Sequence, residues 1–173
     1  MGQPRLETLL SAEMIAARVA EMGAQISADY GDRPLVLVGV LKGSFMFMAD
    51  LIRHIRCPTH IEFIGAKSYA GTSTSGEVQL TKDLDKPIEG EDVLLVEDIV
   101  DTGLTLNYLR QMLAQRGPAS LRTVAFLDKP SRRRIEVHAD YVGFRIEDRF
   151  VVGYGLDFEQ RYRNLRDVCV LLP

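Results

Sequence analysis

The chain predicts an α/β fold, a mainly parallel sheet flanked by helices, and three observations carry that expectation. The apolar runs Leu35 to Leu41 and Val93 to Val96 contain no polar residue and read as strands buried on both faces. Helical segments alternate with such runs, the pattern of a parallel sheet with crossover helices. Lys42, Glu97 and Lys129 all fall just beyond apolar runs, at the strand ends where open α/β sheets bind ligands.

In chain order, Ser11 caps an amphipathic helix with Met14, Ile15, Val19 and Met22 at helical spacing, running to about Tyr30. Pro34 admits the strand Leu35 to Leu41. Phe45 to Ile55 reads as a helix, and Ile61 to Ile64 as a strand extending towards Tyr69. The segment Gly71 to Gly76 is polar, small and poor in packing residues, so it reads as a mobile loop. Glu77 to Leu80 alternates as half of a flap hairpin does. After Val93 to Val96 comes a helix from Leu104 to Gln115, ended by Gly117-Pro118. Strands follow at Leu121 to Leu127, Tyr141 to Phe144, Val151 to Tyr154 and Val168 to Leu172.

With 173 residues, no repeat and no low-complexity linker, residues 1–173 read as one domain. Hydrophobic residues at 46% and charged residues at 26% are ordinary globular values. A formal net charge of −3 argues against a dedicated nucleic-acid binder, which carries a basic face. No apolar run approaches the roughly 20 residues a spanning helix needs. The start, Met-Gly-Gln-Pro-Arg-Leu-Glu, lacks a signal-peptide core, and Leu6 stands where a myristoylation motif wants Ser or Thr. The expectation is a cytoplasmic protein with no membrane partner, in which Cys57 and Cys169 are reduced structural thiols. His54, His60 and His138 are scattered and form no ligand set.

The chemistry concentrates in residues 93–106. The strand ends in two carboxylates, Glu97 and Asp98, and Asp101-Thr102-Gly103 then leads into a helix. Unpaired N–H groups of such a turn, with the helix dipole behind them, favour an anion. Gly103 lets the backbone approach a phosphate, and Thr102 and Thr105 offer hydroxyls. The acidic pair cannot hold a phosphate but suits sugar hydroxyls, or a divalent metal that phosphates also bind. A substrate with a phosphate at one end and a polyol nearby is implied. Leu41-Lys42-Gly43-Ser44, directly after a buried strand, offers N–H groups and an ammonium suited to a pyrophosphate, or is simply a turn with an exposed Lys.

The string from Glu97 to Thr105, Glu-Asp-Ile-Val-Asp-Thr-Gly-Leu-Thr, resembles the phosphoribosyl-pyrophosphate signature of type I phosphoribosyltransferases. The resemblance extends through four ordered motifs from Val38 to Val170 and points to the branch that salvages hypoxanthine and guanine. It implies a small hood built from the chain termini beside the parallel sheet. It implies that Glu97 and Asp98 contact the ribose hydroxyls and that Asp101, Thr102, Gly103, Leu104 and Thr105 wrap the 5′-phosphate. Leu104 stands where some members carry Lys. Leu41, Lys42 and Gly43 would form the pyrophosphate loop, in which the Leu–Lys peptide is often cis. Ser68 and Tyr69 would precede a loop that closes over the reaction. Lys129 would donate to the 6-oxygen of a 6-oxopurine, Phe150 would stack on its face, and the Val151 backbone would read its edge. Arg163 would meet the pyrophosphate. Glu97, Asp98 and Asp157 would serve Mg2+, and the assembly would be a homodimer or homotetramer.

Asp101 is the candidate catalytic acid/base, because a carboxylate beside the imidazole edge of a purine can exchange the proton that moves as the ring attacks the sugar. A helix N-cap is the alternative role, and the two are compatible. On residue physics alone, Phe150 and Tyr154 read as core aromatics of an edge strand. The implied reaction joins hypoxanthine, and guanine, to phosphoribosyl pyrophosphate, giving IMP or GMP and pyrophosphate. Two rivals stand beside it: a transferase preferring xanthine or guanine, and an RNA-binding attenuation regulator on the same fold. The regulator needs a basic face, and the one concentrated run, Arg132-Arg133-Arg134, reads as a solvated turn.

Overall fold

Strand β2 (Leu35–Leu41) is buried along nearly its whole length, which its unbroken apolar run requires. It lies at the centre of a six-stranded sheet ordered β4-β3-β2-β5-β6-β7, comprising β3 (Thr59–Tyr69), β4 (Glu77–Lys82), β5 (Asp92–Val100), β6 (Ser120–Asp128) and β7 (Tyr141–Arg145). All neighbours are parallel except β4, which folds back antiparallel on β3 as the expected hairpin. The computed structural model describes residues 4–69 and 77–172, so the loop expected at 71–76 lies outside the described residues.

Helices α1 (Ala12–Tyr30) and α2 (Phe45–Ile52) cover one face, packing with Leu35, Leu37, Leu94, Val96 and Phe126. Helix α3 (Leu104–Ala114) covers the other, against Val36, Val38, Val93 and Leu95. The alternation of the strands sends successive side chains into opposite layers, so two cores form from one sheet. A second, antiparallel sheet, β1-β9-β8, joins β1 (Arg5–Leu10) to β9 (Val168–Leu172) and β8 (Val151–Val152). This is the hood from the chain termini, seated by Val151, Val168 and Val170 in the α1/α2 layer.

Several boundaries differ from the sequence expectation. Strand β5 does not stop at Val96; Glu97, Ile99 and Val100 still pair with β6, so the carboxylates lie within the strand. Helix α2 ends at Ile52, three residues early, because His54 and Ile55 donate in tight turns to Leu51 and Ile52 before Pro58. The strand at Val151 ends at Val152, since Gly153 turns to φ +98. Met14 is 50% exposed and lies off the buried stripe of α1, which is Ile15, Val19, Met22, Ile26 and Tyr30. Strand β1 has no counterpart in the sequence reading: it is mostly exposed and exists through its pairing with β9. Edge strand β7 is blunted by Arg18, which donates to the carbonyls of Val142 and Gly143.

Phe126 ties these layers together, its ring 5.3 Å from Phe47, 5.8 Å from Phe144 and 4.9 Å from Tyr154. Phe126→Ala should cost roughly 3–5 kcal/mol, the loss of transfer energy plus a cavity. Urea unfolding checks this; a cost under about 1 kcal/mol would show that the layers do not depend on this ring.

Candidate active site

The parallel strands reverse their direction of progression between β2 and β5: the chain steps from β2 outward to β3, and from β5 outward to β6 and β7 on the other side. Loops leaving the C-terminal ends of β2 and β5 therefore diverge, and the crevice between them is where such sheets take ligands. A cleft of about 330 Å³ occupies this place, lined by Leu41, Gly43, Ser68, Glu97, Asp98, Asp101, Thr102, Gly103 and Thr105. Nine of the expected binding residues thus converge from β2, β3, β5 and the start of α3.

Glu97 is buried and Asp98 half-buried at the end of β5, and both line the cleft. Asp98 faces the Leu41–Gly43 loop closely enough that a Cβ on Gly43 would sit 1.7 Å from Asp98 Oδ2, so only glycine fits there. The Leu41–Lys42 peptide is cis. Burial pushes the Glu97 carboxyl well above the ordinary carboxylate range, and the charge of Asp98 adds to the effect. Burial likewise pushes Asp98 up to about 6, partly offset by the Ile99 N–H and by Arg163. A buried carboxyl next to a half-buried one, with no ion pair to either among the described residues, forms a site suited to hydroxyl donors or a divalent ion. Among the described residues no three His, Cys, Asp or Glu side chains cluster to hold a metal unaided. That fits Mg2+, which keeps waters and substrate phosphates around one or two protein carboxylates.

The β5–α3 turn is built for an anion. Helix α3 starts at Leu104 with Gly103 in the cap position at φ +85, and no side chain caps it. Asp101 is therefore not the N-cap, correcting that alternative; only Thr102 Oγ1 approaches an early helical N–H, that of Leu104, at 3.4 Å. Among the described residues, the N–H groups of Thr102 and Gly103 have no protein acceptor. The carbonyls of the same turn are all occupied. Val100 accepts from the Lys129 N–H at 2.9 Å, Asp101 from Arg133 Nη1 at 2.8 Å, and Thr102 from the Arg134 N–H at 2.9 Å.

The reading of Arg132-Arg133-Arg134 as a solvated turn holds for the exposed Arg132 and Arg134 and fails for Arg133. Arg133 is mostly buried and pairs at 2.5 Å with Asp128, itself buried at the end of β6. Arg132 Nε meets Asp101 Oδ1 at 3.1 Å. Sequence reasoning missed these residues. The available signal was the Asp128-Lys129-Pro130 string ahead of them, which puts a carboxylate and a turn at the strand end.

The base-side residues lie outside the lining of this cleft. Lys129 is buried, its Nζ 3.9 Å from Asp148, so it is not a solvated charge. Phe150 is 53% exposed while Tyr154 is buried against Phe126, so only Tyr154 is the core aromatic. Phe150 meets Phe158 edge-on at 5.8 Å and leaves a face open. Val151 is buried beside it. Asp157 pairs with Arg163 at 3.1 Å. Gln160, another residue sequence reasoning missed, accepts from Arg163 at 3.1 Å and lies 3.5 Å from Lys42 Nζ. Tyr154, Glu159, Gln160 and Tyr162 all hold positive φ, a concentration of strain typical of functional segments. Tyr69 pairs through its backbone with Glu77 at the tip of the hairpin.

Residues 5–159 match the phosphoribosyl transferase domain. The chain is 52% identical over 169 residues to a hypoxanthine phosphoribosyltransferase of Haemophilus influenzae, covering 95% of this chain and 94% of that one. It is 48% identical to a hypoxanthine-guanine phosphoribosyltransferase of Bacillus subtilis, over 96% and 93% of the two chains. A crystal structure of a hypoxanthine-guanine phosphoribosyltransferase from Bacillus anthracis superposes with a TM-score of 0.93 at 43% identity, covering 99% of this chain and all of the other. The match over residues 5–159 and the near-full-length likeness to these relatives identify the chain that carries this switch-point cleft as a member of the phosphoribosyl transferase family, in its hypoxanthine(-guanine) branch.

Proposed function

We propose that this protein transfers a 5-phosphoribosyl group from phosphoribosyl pyrophosphate to hypoxanthine, and to guanine, releasing pyrophosphate in purine salvage. The observation that carries the reading is the switch-point cleft itself, where a helix N-terminus without a side-chain cap adjoins the buried carboxyl of Glu97 and the half-buried one of Asp98. In this reading the 5′-phosphate lies on Thr102, Gly103 and Leu104 N–H groups and the Thr105 hydroxyl, while Glu97 and Asp98 hold the ribose hydroxyls. The backbone can bind phosphate without the Lys that Leu104 replaces. Lys42, Gly43 and Arg163 receive the pyrophosphate, and Ser68 and Tyr69 close from the β3–β4 hairpin. Glu97, Asp98 and Asp157 would hold Mg2+, which supplies charge to stabilise the departing pyrophosphate.

The base stacks on the open face of Phe150, with Lys129 at its 6-oxygen and Val151 at its edge. Asp101 exchanges the purine proton as the ribosyl centre passes through an oxocarbenium-like state. Lys42 and Arg163 act where negative charge grows, the differential interaction that lowers the barrier. Engagement of Arg132 and Arg133 with Asp101 and Asp128 leaves less of a free basic face than RNA binding needs, which favours the enzyme over the regulator. The same reading makes the protein a cytoplasmic homodimer or homotetramer; no described helix is long and apolar enough to cross a membrane. Steady-state assays with hypoxanthine, guanine, xanthine, adenine and uracil test the substrate; activity confined to xanthine, or to uracil, would overturn it.

Asp101→Asn should lower kcat by roughly 10²–10⁴, the range for a lost acid/base, while phosphoribosyl-pyrophosphate binding persists. Unchanged turnover would refute that role.

Phe150→Ala should raise KM for the base more than that for the ribosyl donor, at a cost of roughly 1–3 kcal/mol, as for other stacked bases. Equal movement of both constants would make the ring a packing element.

The raised Asp98 carboxyl gives a pH prediction. Folded, it holds its proton up to about pH 6, against an ordinary value of 3.8. The native state therefore binds more protons than the unfolded chain in that window, and metal-free stability is lost as pH rises through it. The Tm difference between wild type and Asp98→Asn, measured in chelator, should fall from about pH 4 to pH 6, and added MgCl2 should raise the wild-type Tm more at about pH 7.5 than at pH 5. A difference that grows with pH would contradict the assignment.

A further inference from the structure

The arginine run that follows β6 packs against the β5–α3 turn, and its first member touches the residue assigned to proton transfer. Arg132 Nε donates to Asp101 Oδ1 at 3.1 Å, and its Nη1 lies 3.8 Å from Asp148 Oδ2. Asp148 in turn lies 3.9 Å from Lys129 Nζ. One planar guanidinium thus spans Asp101 and the carboxylate that faces the base-side lysine. Among the described residues, no side chain hydrogen-bonds Asp101 Oδ2, so that oxygen is left for a substrate.

The platform beneath Arg132 is rigid. Arg133 donates to the Asp101 carbonyl at 2.8 Å and to that of Val100 at 3.3 Å, while the buried carboxylate of Asp128 fixes its other amine. A single turn, Lys129 to Arg134, therefore holds Asp101 by its backbone and by its side chain. An exposed ion pair adds little to stability, since both partners are solvated and lose side-chain freedom. Its effect on orientation is different in kind. A carboxylate that rotates freely spends little time in the geometry that proton transfer requires.

We propose that Arg132 is a positioning residue for the reaction: it pins Oδ1 of Asp101 so that Oδ2 is presented to the imidazole edge of the bound purine. The inference rests on the reading of Asp101 as acid/base and adds to it the group that orients it. Arg132 is not a catalytic residue, because it acts through Asp101. Lysine is a poor substitute, since a point ammonium cannot address Asp101 and Asp148 with two donors of one plane.

The test is a double-mutant cycle read by the single-turnover rate of nucleotide formation from phosphoribosyl pyrophosphate and hypoxanthine with MgCl2. Arg132→Met should lower that rate by roughly 10–100-fold, the scale of a misplaced catalytic group, with little change in KM for phosphoribosyl pyrophosphate or in Tm. Arg132→Lys should recover part of the rate. In the Asp101→Asn background, Arg132→Met should cost nothing further. An equal loss in both backgrounds would overturn the proposal by showing that Arg132 acts elsewhere, and no loss in the wild-type background would reduce it to a surface ion pair. A full rate in Asp101→Asn alone would instead refute the acid/base reading itself, and the inference with it.

Discussion

The site depends on one constraint, the change of winding direction between β2 and β5 in an otherwise parallel sheet. Parallel strands bring their C-terminal ends to the same edge, and connections on the two sides of the switch must leave in opposite directions. The gap this creates cannot be filled by either crossover helix, because α2 serves β2 to β3 on one layer and α3 serves β5 to β6 on the other. Much of the rest of the sheet is filled by Val, Leu, Ile and Phe side chains, while Glu97 and the polar residues of the β5–α3 turn gather at the cleft.

That gap would be unstable ground for a loop without a partner, and the neighbouring strand provides one. The three carbonyls from Val100 to Thr102 all accept hydrogen bonds from the turn that follows β6. Satisfying the oxygens on one side leaves the N–H groups on the other side directed at the cleft, which is what an anion site needs. Gly103 completes the arrangement. Its φ of +85 suits glycine, and a Cβ would meet Val137 at 2.6 Å and Arg133 at 3.0 Å. The carboxyls of Glu97 and Asp98 stand beside this order, both with raised proton affinity because burial disfavours their charged forms.

Residues whose environment is set locally were legible in the sequence. The central strands showed as unbroken apolar runs, and Glu97 to Thr105 as one string, because strand, turn and helix start are contiguous there. What the sequence hid is what long-range pairing creates. Strand β1 has no buried stripe of its own and exists because β9, more than 150 residues later, offers an edge. The extension of β5 through Glu97 and Asp98 is imposed by β6, against the expectation that acids end a strand. Arg132 and Arg133 looked like solvated charge because nothing within a few residues of either, apart from Asp128, reveals a partner; Asp101 is 31 positions away.

The exposure of Phe150 shows how structure divides two readings that sequence physics treats alike. Phe150 and Tyr154 are four residues apart in one segment and both are aromatic. The hood strand β8 separates them, because Gly153 and Gly155 at φ +98 and +96 reverse the chain and send Tyr154 into the α1/α2 layer, where its hydroxyl donates to Asp50. Phe150 stays at the surface, 53% exposed, with the edge of Phe158 against it. One segment thus supplies both a core ring and a surface ring, and the difference lies in the glycines that flank Tyr154 rather than in the aromatic residues themselves.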